Sequence, residues 1–257
     1  AAYRAFYEHL PLPARMRPDG LQMRIHTEER YGSLARFFML DGRQYRSTMR
    51  CDGSARGGGQ GSDPATCPSL KDPTRTFLGA DQFSWLKQRM ARDGARWTLF
   101  GQPTVFSHTM LSREDRSWIH TDSWDGYPIE RERLLQLMRD PVVVNPVVFS
   151  GDVHVFYANS LHCNDLTEQA PVGTEFVCSG ITSPPPSQRY VQLVKKQRES
   201  VRFANSQFRG YLRVTVNADQ MVTQMMAVQN ALQADSKVRQ LTSFVVESGR
   251  PAPVSGS

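Results

Sequence analysis

The sequence predicts an α/β fold, and three observations predict it. Apolar strand-like runs end in polar turns, amphipathic helical segments separate them, and the alternation of strand and helix holds from Leu34 to Ser179. With 257 residues, 39% hydrophobic and 22% charged, the chain has material for one large core or two small ones and is too apolar to be disordered. No apolar run approaches the ~18 residues of a membrane span. The formal charge of +6 comes from basic residues scattered along the chain. No clustered basic helix or aromatic RNA-binding motif accompanies it, so the charge points to no nucleic-acid partner.

In chain order, Tyr3, Phe6, Tyr7 and Leu10 stand at helical spacing before Pro11 and Pro13. Leu34 to Leu40 reads as a buried strand that delivers Asp41-Gly42-Arg43-Gln44-Tyr45-Arg46 at its carboxyl end. Met49 to Asp72 is a long Gly-, Ser- and Pro-rich insertion containing Gly57-Gly58-Gly59, without the Lys-Ser/Thr of a phosphate-binding loop. A helix follows from Ala80 to Arg92, with Asp81 as cap and Gly94 as terminator. Arg96 to Phe100 and Pro103 to Phe106 read as strands, Ile129 to Arg139 as a helix, and Val142 to Phe149 as a strand. Glu175 to Ser179 reads as another strand and Tyr190 to Val201 as a helix. Tyr211 to Val216 and Met221 to Val228 form a hairpin, and 248–257 a flexible tail after a domain spanning 1–247.

The Val142 to Phe149 strand runs into Ser150-Gly151-Asp152-Val153-His154. Two residues apart in extended backbone, Asp152 and His154 would share a face, and Gly151 would permit a tight turn. A hard carboxylate oxygen and an imidazole nitrogen side by side at a strand end suit a hydrolytic metal centre. The same pair also occurs in turns where it does nothing beyond hydrogen bonding.

The four cysteines form two near-neighbour pairs, Cys51 with Cys67 and Cys163 with Cys178. Neither has zinc-knuckle or thioredoxin spacing. Two local disulfides are expected, each closing a loop worth about 3 kcal/mol, and with them an exported, periplasmic, cell-surface or extracellular protein. The chain opens at Ala1-Ala2-Tyr3, as a piece from which any leader has been removed.

Five segments in this order carry a resemblance: Leu40 to Arg46, Leu78 to Leu86, Trp124-Asp125-Gly126-Tyr127-Pro128, Phe149 to His154, and Arg209-Gly210-Tyr211. Together they resemble PhoD-type alkaline phosphatases of the metallophosphoesterase superfamily. The resemblance implies a sandwich of two mixed β-sheets flanked by helices, with metals where loops leave the carboxyl ends of the strands. It implies hydrolysis of phosphate mono- or diesters at a dinuclear iron and calcium site. In that family the Asp of the Gly-Asp-Val-His motif serves calcium and the His serves iron; on this chain those roles fall on Asp152 and His154. The family's remaining ligands, an early Asp and Cys, a bridging Asp and an acidic His-containing segment followed by Asn, have no counterpart here. The chain is therefore read as the carboxyl-terminal part of a catalytic domain, inactive in isolation. The alternative is a catalytically inactive phosphoesterase-fold binding protein.

Arg43 and Arg46 either offer a planar donor fork to phosphate or close a structural salt bridge. Asp125 either lines the mouth of the site or starts a turn. His108 and His120 read as structural and His162 as a surface histidine in a loop, and no His and Asp are arranged to activate Thr182 or Ser183.

Overall fold

The computed structural model describes residues 1–49, 51, 59–92, 94–113, 116–165 and 167–256. Gly57 and Gly58 of the glycine run, and Ser257, lie outside them. In chain order the elements are α1 (Ala2–His9), β1 (Thr27–Tyr31), β2 (Ala35–Met39), β3 (Gly61–Ser62), α2 (Ala80–Met90), β4 (Trp97–Gly101), β5 (Ser112–Arg113), β6 (Arg116–Ser117), β7 (Ile119–His120) and α3 (Pro128–Met138). They continue with β8 (Pro146–Ser150), β9 (Phe156–Leu161), β10 (Gly173–Val177), α4 (Gln188–Gln197), β11 (Val201–Asn205), β12 (Arg209–Val216), β13 (Gln220–Val228), β14 (Val238–Glu247) and β15 (Arg250–Ser255).

Strand alternation sorts the side chains into layers. Val147 on β8, Trp97 and Leu99 on β4, and Phe156 and Ala158 on β9 join Met221, Met225, Phe244 and Val246 in a core between two sheets. Their neighbours Val148 and Phe100 point the other way, into a second core with Leu86 and Met90 of α2 and Leu134, Leu135 and Met138 of α3. The larger sheet has the order β1-β2-β4-β8-β10-β9-β11, with β2, β4, β8 and β10 parallel to their neighbours in that run. The smaller sheet, β12-β13-β14-β15, is antiparallel throughout, so only the larger of the two expected mixed sheets mixes directions. Successive hairpins build it without a crossover. The result is the expected two-sheet sandwich with helices packed outside.

Several local expectations are corrected. Pro103 to Phe106 forms no strand: both flanks of β4 are already filled by β2 and β8. Its backbone is instead satisfied by side chains, with Phe106 N and Ser107 N donating to Glu175 at 2.6 and 2.9 Å. Asp81 does not cap α2. The N-cap is Gly79, at φ 80, and Asp81 lies in the first turn, where the helix dipole favours an acid. Gly94 does not terminate that helix either. Ala91 does, in right-handed backbone, and the buried Arg36 guanidinium donates to the carbonyls of Arg89, Met90 and Arg92. The residues expected to form a loose tail contain β15, which pairs with β14. Its prolines are tolerated because β15 is an edge strand.

Cys51 and Cys67 are joined by a disulfide. Cys163 and Cys178 are not; both are free thiols. The antiparallel β9–β10 pair explains why: Leu161 lies opposite Gly173 and Tyr157 opposite Val177, so the two cysteines flank opposite ends of β10. A five-residue strand places them roughly 17 Å apart, far beyond disulfide reach. Among the described residues no helix is long and apolar enough to cross a membrane.

Candidate active site at the strand carboxyl ends

Three loops meet where β2, β4 and β8 end. The first, Asp41 to Arg46, is wound around the Asp41 carboxylate: Oδ1 accepts from the backbone N of Arg43 and Gln44 at 2.9 and 3.0 Å. The Gln82 side chain on α2 clamps it from behind, accepting from Asp41 N at 2.8 Å and donating to Asp41 O at 2.9 Å. Gly42 is required by close approach, since a Cβ there would lie 2.2 Å from the buried Phe77 ring.

The Gly-Asp-Val-His turn differs in geometry from its sequence reading. β8 ends at Ser150, and the extended, same-face arrangement does not form. Asp152 and His154 adopt left-handed backbone, with φ of 72° and 58°, while Gly151 does not. Asp and His tolerate this region better than most residues, and such outliers gather at functional sites. His154 Nδ1 lies 2.9 Å from the Pro184 carbonyl oxygen, and the ring rests on Gly180, where a Cβ would come within 3.2 Å of His154 Cδ2. Donation from Nδ1 to that carbonyl sets the tautomer that leaves Nε2 with a lone pair. Asp152 Oδ2 accepts from Thr104 Oγ1 at 3.1 Å, and its carboxylate is 41% exposed.

One of the two arginines reaches this turn, and both meet at Asp122. Arg43 Nη2 stands 3.5 Å from Asp152 Oδ1, and Arg43 and Arg46 each place Nη1 2.5 Å from Asp122 Oδ1. Burial alone would raise the Asp122 carboxyl, but Arg46 and Arg43 outweigh it and hold the group below its ordinary range. Asp125 does not join them. Its carboxylate, 3% exposed, is taken by His108 Nδ1 at 2.7 Å and Arg131 Nη1 at 3.0 Å. His108 is thus committed to Asp125, and His162, expected on the surface, is buried instead, with its Nδ1 3.0 Å from Gln169 O.

Sequence reasoning missed Thr104, Asp122 and Glu175. Glu175 is buried on β10 and accepts from Ser150 Oγ at 2.5 Å and Asn159 Nδ2 at 3.0 Å besides the two amides of the β4 loop. An acid centred in an apolar strand was the available signal for it. Nothing local marked Asp122 or Thr104.

A carboxylate and an imidazole with a free Nε2 suit two cations of different hardness. Among the described residues no group of three or more His, Cys, Asp and Glu is placed to hold a metal ion. Asp152 and His154 have the donor chemistry of metal ligands, and two residues would not by themselves complete a metal site.

Fold and site together define a two-sheet α/β sandwich whose chemistry-bearing loops gather at the carboxyl ends of its central strands. The model of the PhoD-like phosphatase family matches residues 1–225, and the chain belongs to that family. It is 32% identical over 251 residues to alkaline phosphatase D of Bacillus subtilis (strain 168), covering 96% of this chain and 42% of that protein. The solved structure of PhoD superposes with a TM-score of 0.87 at 29% identity, covering all of this chain and 48% of that one. The chain thus spans less than half the length of either relative.

Proposed function

We propose that this chain forms part of the active site of a phosphoric ester hydrolase of the alkaline phosphatase or phosphodiesterase type, with Asp152 and His154 as two ligands of a dinuclear iron and calcium centre. The observation that carries the reading is the Gly-Asp-Val-His turn. Two left-handed residues present a carboxylate and a carbonyl-anchored imidazole, with Arg43 beside the carboxylate.

When bound, the cations supply the Lewis acidity that activates water and offsets phosphoryl charge. The chain's own residues do the rest. Thr104 holds one oxygen of Asp152, so the other would be the one to bind a hard cation, and the Pro184 carbonyl fixes the His154 ring so that Nε2 would be the ligand to a softer one. Arg43 lies within reach of Asp152, so its guanidinium is placed to donate to non-bridging phosphoryl oxygens held there, with Arg46 behind it.

Calcium prefers six to eight oxygen ligands, so two residues do not complete a site, and further ligands are needed from outside this set. The 257-residue chain by itself is expected to be nearly inactive; phosphate release well above blank from pure, iron- and calcium-loaded chain would overturn that. The disulfide supports an exported protein, since such bonds persist in oxidising compartments.

The test is substitution of Asp152→Asn and His154→Ala in the natural full-length protein, with p-nitrophenyl phosphate turnover measured beside bound iron and calcium. Loss of metal together with at least a roughly hundredfold loss of turnover is expected. Full metal content and full activity in both variants would sink the assignment.

A further inference from the structure

Asp122 lies outside the loop that carries the arginines. It follows β7, and that segment is pinned by the disulfide-stapled loop. β3 pairs with β7 through Gly61 opposite His120 and Ser62 opposite Ile119. Gln60 N donates to Thr121 Oγ1 and Thr121 N to Gln60 O, both at 3.0 Å. Gly59 packs directly on Asp122, where a Cβ would lie 2.2 Å from Asp122 Cβ. A few residues on, Cys67 is buried with Leu70 and Ile119 and bonded to Cys51. A continuous run of close packing and backbone pairing therefore leads from the disulfide to one carboxylate.

That carboxylate does something the arginines cannot do alone. Two guanidinium groups brought to a common point repel unless an acid stands between them. Asp122 Oδ1 receives Nη1 of both, and Arg46 Nη1 also reaches the Asp122 carbonyl at 3.3 Å. Asp122 neutralises one of the two positive charges, and the other, which Asp152 faces in this structure, would be left for an incoming anion if Asp152 held a cation. Arg43 also keeps a second edge, Nη2, turned towards Asp152. Were Asp152 to hold a cation, that edge would be free to donate to a phosphoryl oxygen while Nη1 stays on Asp122.

We propose that Asp122, braced by the Cys51–Cys67 loop, is the positioning residue of an arginine clamp that holds the phosphoryl group of the ester. Asp122 acts on substrate affinity rather than on the chemical step, an assignment that rests on the phosphatase reading.

The natural full-length protein, loaded with iron and calcium, would be compared with Asp122→Asn for KM and kcat on p-nitrophenyl phosphate. Inhibition by inorganic phosphate, metal content and thermal midpoint would be read beside them. The variant is expected to raise KM and the phosphate inhibition constant about tenfold, the worth of one charge-assisted hydrogen bond, with kcat within about threefold and metal unchanged. Asp122→Glu keeps the charge and should recover part of the affinity; it carries the comparison if the Asn variant fails to fold. Replacing Cys51 and Cys67 together by Ser should move KM in the same direction. Unchanged KM and phosphate inhibition, or a fall in kcat that tracks lost metal, overturns the clamp alone. A wild-type protein that neither hydrolyses the ester nor is inhibited by phosphate overturns the phosphatase reading and the clamp with it.

Discussion

The Ser150 hydroxyl, one residue before the Gly-Asp-Val-His turn, donates to the buried carboxylate of Glu175 at 2.5 Å. Gln102 Nε2 donates to the same Ser150 oxygen at 2.6 Å, while Gln102 Oε1 accepts from the Trp124 indole at 2.9 Å. The last residue of β8 is thereby fixed to β10 and to the loop that follows β4. That loop carries Thr104, which holds Asp152. The candidate ligand is positioned by a polar network buried beneath it, in which hydrogen bonds are stronger than in water.

Glu175→Ala is expected to destabilise the chain by about 3 kcal/mol or more. It strands four donors, the amides of Phe106 and Ser107, the Ser150 hydroxyl and the Asn159 amide, and each buried donor left unmade costs roughly 1–3 kcal/mol before any rearrangement. Urea unfolding at neutral pH measures it. A midpoint equal to wild type would show that Glu175 supports nothing.

Gly42→Ala tests the crowding under the arginine loop. The added methyl would fall 2.2 Å from Phe77 Cε1 and 2.9 Å from Pro103 Cγ. Phe77 cannot swing aside, because it is fully buried and stacked on Trp124 at 4.2 Å between ring centroids. Overpacking of this kind costs about 1–3 kcal/mol, so the urea midpoint should drop. Retained stability would mean that the loop yields without cost.

The apolar run ending in Gly-Asp-Val-His was legible because a buried parallel strand needs little beyond its own residues to announce itself. The shape of the turn was not. The left-handed backbone of Asp152 and His154 is held by Thr104, Gly180 and Pro184, which come from other loops. Arg43 and Arg46 stood out for their place after a strand, yet Asp122, which gathers them, lies 76 or more positions away and no periodicity links them. β9 went unseen because Asn159 and Ser160 interrupt its apolar pattern, although the whole strand is buried. Glu175, on the neighbouring strand, accepts from the Asn159 side-chain amide there. The spacing of Cys163 and Cys178 misled because a hairpin separates residues that lie close in sequence.

Acid should weaken the fold through Asp125. Burial pushes its carboxyl up, but His108 and Arg131 outweigh burial, so its pKa lies below the ordinary value. A depressed folded-state pKa gives stability that is complete above the unfolded value of about 3.9 and is lost as pH falls through the folded one. Asp125→Asn has no such proton to gain. It should be less stable than wild type at pH 7, and the gap should narrow below about pH 4. Urea midpoints of both proteins across that range decide the matter; a gap that stays constant would contradict the assignment.

Thiol counting separates one disulfide from two. Unfolded in denaturant without reductant, the chain should take up alkylating agent at two cysteines, Cys163 and Cys178, and at four only after reduction. In the native state both should react slowly. Burial raises the pKa of each thiol and lowers the thiolate fraction that attacks the reagent, and Cys163 is also enclosed in the helix-side core. Mass spectrometry reads the outcome directly. No uptake before reduction would restore a second bridge and require β9 and β10 to pair in another register; four alkylated cysteines would remove the Cys51–Cys67 staple and with it the brace assigned to Asp122.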